Sequence, residues 1–202
     1  LVHKTQNAQK NARAVASKVL FKVIQEGHAF NSGLIASATA QASPRDRGFI
    51  THLCFGVLRF YEALETSLEQ FLDHPLRAKE FDLQLLLLIG LYQLYYTDTP
   101  VHATVFETVQ AANDLKKSWA KGLINAVLRK AIQEKANFDP SEHACHPRWL
   151  VEAFQDHWPE HWTMIVNANQ MHPPLSVRVN TAKISVADYA ALLAKAELES
   201  TA

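Results

Sequence analysis

The run from Leu85 to Tyr92, bounded by Gln84 and Gln93, constrains this chain more than any other feature. It holds six aliphatic side chains, a glycine and a tyrosine. A membrane span needs roughly 20 apolar residues, so the run is too short to be one. It lies inside a segment, Asp82 to Tyr96, that Thr99-Pro100 stops, because proline and the residue before it leave helical geometry. The spacing therefore predicts a buried helix that other elements must cover.

Helical periodicity supplies those elements. Val15, Val19, Leu20, Val23 and Ile24 recur at helical spacing, and Gly27 follows where a left-handed cap would end a helix over about residues 8–26. A short helix fits Ser32 to Ala42. Ser43-Pro44-Arg45-Asp46 combines an N-cap serine, a proline at the first helical position and an acid at the third. The helix it opens carries the stripe Phe49, Ile50, Leu53, Cys54 and Val57, which makes Cys54 a core residue. Further helices fit Glu62 to Leu72, His102 to Lys116 and Ser118 to Glu134. No strand pattern occurs before residue 140, so residues 1–136 are expected to form an all-α bundle. With 202 residues and 48% hydrophobic content, the chain has the material for such a core.

After the turn-rich joint Asn137-Phe138-Asp139-Pro140-Ser141 the pattern becomes mixed α/β, and residues 137–202 read as a second, smaller region. Helices fit Pro147 to Asp156 and Glu160 to Ala168. Leu175 to Asn180 alternates with period two and reads as a strand, and Ser185 with Asp188 caps a last helix through about Leu198. A lone strand cannot satisfy its backbone hydrogen bonds, so the sequence is expected to be truncated within this region.

The chain has 20 Lys+Arg and 20 Asp+Glu, but they are unevenly placed. Residues 1–60 carry Lys4, Lys10, Arg13, Lys18, Lys22, Arg45, Arg47 and Arg59 against Glu26 and Asp46, a balance of +6, and the rest of the chain is −6. On the first helix Lys10, Lys18 and Lys22 project away from the apolar stripe, with Arg13 at its edge. Arg45, His52 and Arg59 share one side of the third helix at a spacing of seven. Either set is a phosphate-contact surface or an ordinary solvated face. Arg178 and Asn180 occupy the side of the expected strand opposite Leu175, Val177 and Val179.

Catalytic and metal patterns are not evident. Cys54 and Cys145 are isolated, which suits a reducing cytoplasmic setting. His143-Ala144-Cys145-His146 has the wrong spacing for zinc. The six glycines form no cofactor loop. No catalytic, cofactor-binding or metal-binding residue is therefore assigned, and no membrane segment is expected.

Four stretches carry a resemblance: Ser43-Pro44-Arg45-Asp46-Arg47 through Leu58-Arg59, Leu88-Ile89-Gly90-Leu91-Tyr92-Gln93-Leu94, Pro100-Val101-His102-Ala103, and Lys121-Gly122-Leu123-Ile124-Asn125-Ala126-Val127-Leu128-Arg129. In this order they resemble the N-terminal part of the ribosomal RNA small subunit methyltransferase B family, which makes 5-methylcytosine in 16S rRNA. Over about residues 7–135 they are also similar to the antitermination factor NusB. His146-Pro147-Arg148-Trp149-Leu150 and Pro173-Pro174-Leu175-Ser176-Val177-Arg178-Val179-Asn180 are similar to motifs preceding the methyltransferase domain, and NusB has no counterpart.

The resemblance implies a NusB-like bundle that binds 16S rRNA, with a ribosomal protein as a further candidate partner. It also implies S-adenosylmethionine as the cofactor of the parent enzyme. The family places one catalytic cysteine after proline and one after threonine, whereas Cys54 follows Leu53 and Cys145 follows Ala144. These residues would thus contribute substrate binding and no chemistry, with Lys10, Lys18, Lys22, Arg45, Arg59, Arg178 and Asn180 as candidate RNA contacts. The competing reading is a non-enzymatic NusB-like factor in antitermination or ribosome assembly, against which the sequence beyond residue 140 speaks.

Overall fold

The computed structural model describes residues 10–135, 146–171 and 175–200. In the first stretch lie α1 (Ala12–Ile24), α2 (Ser32–Ala38), α3 (Pro44–Arg59), α4 (Tyr61–Phe71), α5 (Phe81–Tyr96), α6 (Val101–Asp114) and α7 (Lys121–Glu134). One-turn 3-10 segments, Ala78–Glu80 and Ser118–Ala120, lead into α5 and α7. Then follow α8 (Arg148–His157), α9 (Trp162–Gln170) and α10 (Val186–Lys195). The chain divides into two compact units, Leu1–Asn167 and Ala168–Ala202. The expected joint at Asn137–Ser141 lies outside the described residues.

Helix boundaries follow local chemistry. The Ser43 side chain accepts from the Asp46 N–H at 3.1 Å and donates to the Asp46 carboxylate at 2.6 Å, with Pro44 opening α3. Ser185 and Asp188 repeat that geometry at α10. Gly27 has φ +71°, and the His28 N–H reaches back to the Lys22 carbonyl at 3.0 Å, so α1 ends as its sequence dictates. α10 stops earlier than expected, at Lys195, because Glu197 turns left-handed at φ +58° and Leu198 N–H closes on the Leu193 carbonyl.

The centre of the first unit is α5. Every residue from Leu85 to Leu94 is buried, and α1, α3, α4, α6 and α7 pack against it. Tyr92 stacks with Phe60 and Tyr96, whose rings are 4.0 Å apart. This packing requires glycine at position 56, since a Cβ there would stand 1.9 Å from the Tyr92 ring.

One charge lies inside the bundle. Arg13 is only 6% exposed; its Nε donates to Gln93 Oε1 at 2.7 Å, and its guanidinium lies 5.5 Å from the Phe49 ring centre. Burial lowers its pKa, against the opposing pull of Glu107. Sequence periodicity placed this residue at the edge of the stripe, whereas the structure makes it a core residue joining α1, α3 and α5.

The expected strand at Leu175–Asn180 is corrected. Among the described residues none is in a strand. Leu175 is 92% and Val177 56% exposed. Extended backbone becomes a strand only when a neighbour takes its N–H and C=O groups, and here Asn180 instead begins a turn, accepting from Ala182, Lys183 and Ile184 N–H groups.

Two stability tests follow from this packing. Gly56→Ala should destabilise the fold by about 1–3 kcal/mol through overpacking against Tyr92. Gly48→Ala, in the same helix with nothing within 4 Å, should be neutral or stabilising by up to about 1 kcal/mol. Equal melting temperatures for the two variants would refute the close approach. Gln93→Leu should cost about 1–3 kcal/mol by stranding the Arg13 guanidinium, and Arg13→Met in that background should recover part of the loss. A double-mutant cycle from urea unfolding measures the coupling.

Candidate nucleic-acid interface

A series of tertiary hydrogen bonds fixes α1 against the bundle and sets where its exposed lysines emerge. The Asn11 N–H donates to the Asp114 carboxylate at 2.6 Å, and the Asn11 side chain donates to Glu107 at 2.8 Å, tying the start of α1 to α6. Further along the helix Ser17 donates to the Asp82 carbonyl at 2.7 Å, and Phe21 meets Phe81 with ring centres 6.1 Å apart. Lys18 and Lys22 therefore emerge near the start of α5. Lys18 Nζ donates to the Asp114 carbonyl at 3.2 Å, placing an ammonium at the C-terminal end of α6, where the helix dipole favours a cation. Lys10, Lys18 and Lys22 are all solvent-exposed.

The connection from α6 to α7 adds groups that periodicity did not single out. Lys116, left-handed at φ +58°, and Trp119, 64% exposed, stand on it, followed by the half-buried Lys121. Lys117 is turned inward between the Glu80 and Asp82 carboxylates, 3.0 Å from the latter. Partial burial pulls the Lys117 pKa down, but its two carboxylate partners outweigh that and raise it. The Lys117 hydrogen bond in turn holds the Glu80 carboxyl below its usual range. The sequence signal for this site was present in Lys116-Lys117-Ser118-Trp119, an aromatic residue among lysines outside any apolar stripe.

Arg45 and Arg59 are not part of this group. Both belong to α3, Arg45 exposed in its first turn and Arg59 half-buried in its last. That helix packs through Gly56 on Tyr92, and its His52 lies 3.2 Å from the Tyr92 hydroxyl. Tyr92 is ten residues along α5 from Asp82, or about 15 Å at 1.5 Å per residue. Arg178 and Asn180 are exposed and belong to the second compact unit.

None of these side chains forms a catalytic set. Cys54 is fully buried, and burial pushes its thiol up to about 12, the opposite of what a nucleophile requires. Among the described residues no three His, Cys, Asp or Glu side chains are placed to hold a metal ion; His143 and Cys145 lie outside those residues. An open groove of about 690 Å³ between α6 and α7 is floored by Val105, Phe106, Val109 and Ile132, with His102 and Arg129 as its titratable groups. It too has no paired acid and base. No helix among the described residues is long and apolar enough to cross a membrane.

The model of the NusB family matches residues 10–133, and that of the "Methyltr_RsmF/B-like, ferredoxin-like domain" matches residues 146–202. Proteins named ribosomal RNA small subunit methyltransferase B align along nearly the whole chain. The one from Pseudomonas putida is 43% identical over 198 residues, covering 95% of this chain and 45% of the relative. Those from Pectobacterium carotovorum and Vibrio cholerae are 39% and 38% identical, covering 94% and 95% of this chain and 45% of each relative. The chain thus spans less than half the length of these relatives. It belongs to the NusB family through residues 10–133, and its residues 146–202 match the ferredoxin-like domain of RsmF/B-like methyltransferases.

Proposed function

We propose that these 202 residues are the RNA-positioning part of an S-adenosylmethionine-dependent methyltransferase that forms 5-methylcytosine in 16S rRNA in the cytoplasm. The observation that carries the reading is the exposed Lys18 and Lys22 near the start of α5 and the end of α6, where the Glu80, Asp82 and Asp114 carboxylates are half-buried and paired. A transfer pocket sees one base and cannot choose one cytosine in folded rRNA. A separate cationic surface adds affinity and orientation through backbone contacts. Arg178 and Asn180 are proposed to touch RNA from the second unit, and Arg45 and Arg59 to form a separate, weaker contact line on α3. A ribosomal protein is a further candidate partner.

In this reading S-adenosylmethionine would supply the methyl group; a thiolate would add to cytosine C6 to make C5 nucleophilic, and loss of the C5 proton with expulsion of the thiolate would then restore the ring. The residues described above do neither. They bind phosphate and fix orientation.

Two measurements test the reading. Changing Lys10, Lys18 and Lys22 together to Gln should flatten the log–log salt dependence of RNA binding by about two to three units, at roughly 0.7–0.9 per phosphate contact. The variant should stay folded by circular dichroism, since exposed lysines change stability by less than about 0.5 kcal/mol. An unchanged slope would remove α1 from the interface. Calorimetry of the 202-residue chain with S-adenosylmethionine should give no saturable heat; a one-to-one isotherm in the micromolar range would put cofactor binding inside these residues and overturn the proposed division.

A further inference from the structure

The RNA-binding reading leaves Trp119 unexplained. Trp119 is 64% exposed, and the backbone that carries it is held in place. Leu115 and Ala120 on either side are buried. The turn between them is closed by hydrogen bonds from Lys116 N–H to Asn113, Lys117 N–H to Ala112 and Ala120 N–H to Lys117, all at 2.8–2.9 Å. Ser118 Oγ adds a bond to the Asn113 side chain at 2.9 Å, and Lys117 is clamped between Glu80 and Asp82. The indole is therefore presented on a fixed support.

Its electrostatic surroundings narrow the occupant. The acids at this end, Glu80, Asp82 and Asp114, are half-buried and accept from Lys117 or from Asn11. Lys18, Lys79 and Lys116 are exposed; Lys116 stands three residues before the indole, Lys18 Nζ donates to the Asp114 carbonyl just ahead of the turn, and the Lys79 carbonyl accepts from Lys117 Nζ, so exposed cations flank the turn. An apolar ring among lysines fits an unpaired nucleobase stacked on the ring while its phosphates run past the ammonium groups. Inside a duplex each base face is already covered by its stacked neighbours.

We propose that Trp119 is a stacking platform for one unpaired base of single-stranded RNA, with Lys18, Lys79 and Lys116 holding the flanking phosphates. The inference rests on the RNA-binding reading above and adds to it the class of RNA element recognised at this end. It is tested with the 202-residue chain, an eight-nucleotide unstructured RNA carrying a fluorescent label, and the same sequence as a blunt duplex.

Trp119→Ala should weaken single-strand binding roughly 5- to 150-fold, the range one base–aromatic stack supports, with an unchanged salt slope and little effect on the duplex. Trp119→Phe should stay within about threefold of the parent. Lys79→Gln with Lys116→Gln should instead flatten the slope by about one to two units. Equal losses for single strand and duplex, or an Ala variant that binds as the parent does, would overturn the stacking role while leaving RNA binding intact; the latter outcome would leave the indole as a protein-docking side chain. No binding of either RNA by the parent chain would overturn both readings.

Discussion

The bundle depends on α5 having no solvent face. A helix buried from Leu85 to Leu94 gains nothing from amphipathicity of its own. It stays in place because α1, α3, α4, α6 and α7 each turn an apolar stripe toward it. Burial on all sides also makes its contacts exacting. Gly56 on α3 is one result, since the Tyr92 ring occupies the volume where a side chain would begin.

Charges of both signs near this core are turned inward where they find partners. Arg13 is drawn inside and held by Gln93, and Lys117 is drawn in by Glu80 and Asp82. The Asp114 carboxylate is used by the Asn11 N–H. These contacts fix α1 and the α6–α7 connection against the start of α5, and they occupy acids that would otherwise repel a polyanion. The remaining lysines then set the surface potential. A balanced charge count is therefore compatible with a locally basic end, because placement decides the field that a phosphate backbone meets.

Much of the bundle was legible in the sequence because helix caps and stripes act locally. Ser43-Pro44-Arg45-Asp46 and Gly27 marked ends that the structure reproduces, and the Leu85–Tyr92 run announced the central helix. The candidate site was less legible. Helical projection identifies which lysines face away from α1's own stripe, but it cannot say which other elements meet that face. Lys116 and Trp119 reach the same end through a 3-10 turn, where the 100° projection does not apply. Arg13 was misplaced for a related reason: its position at the edge of one stripe became interior once Phe49 and Gln93 closed over it.

The extended stretch Leu175–Asn180 shows the other limit of pattern reading. Alternation records which side chains suit burial on one face, and it carries no information on whether a neighbouring strand is present to pair with. Leu175 and Val177 remain exposed, as do Val186 and Leu192 on α10 and Leu198 beyond it. Apolar side chains spaced for burial but left in water contribute little to folding stability. A unit of this size has few other sources of it. The order of residues 175–200 thus rests chiefly on local devices such as the Ser185–Asp188 cap and the left-handed turn at Glu197. Local devices of that kind supply about 1 kcal/mol each, so this segment has less to hold it than the bundle, where the Ser43 cap of α3 is backed by the buried stripe Ile50, Leu53, Cys54 and Val57.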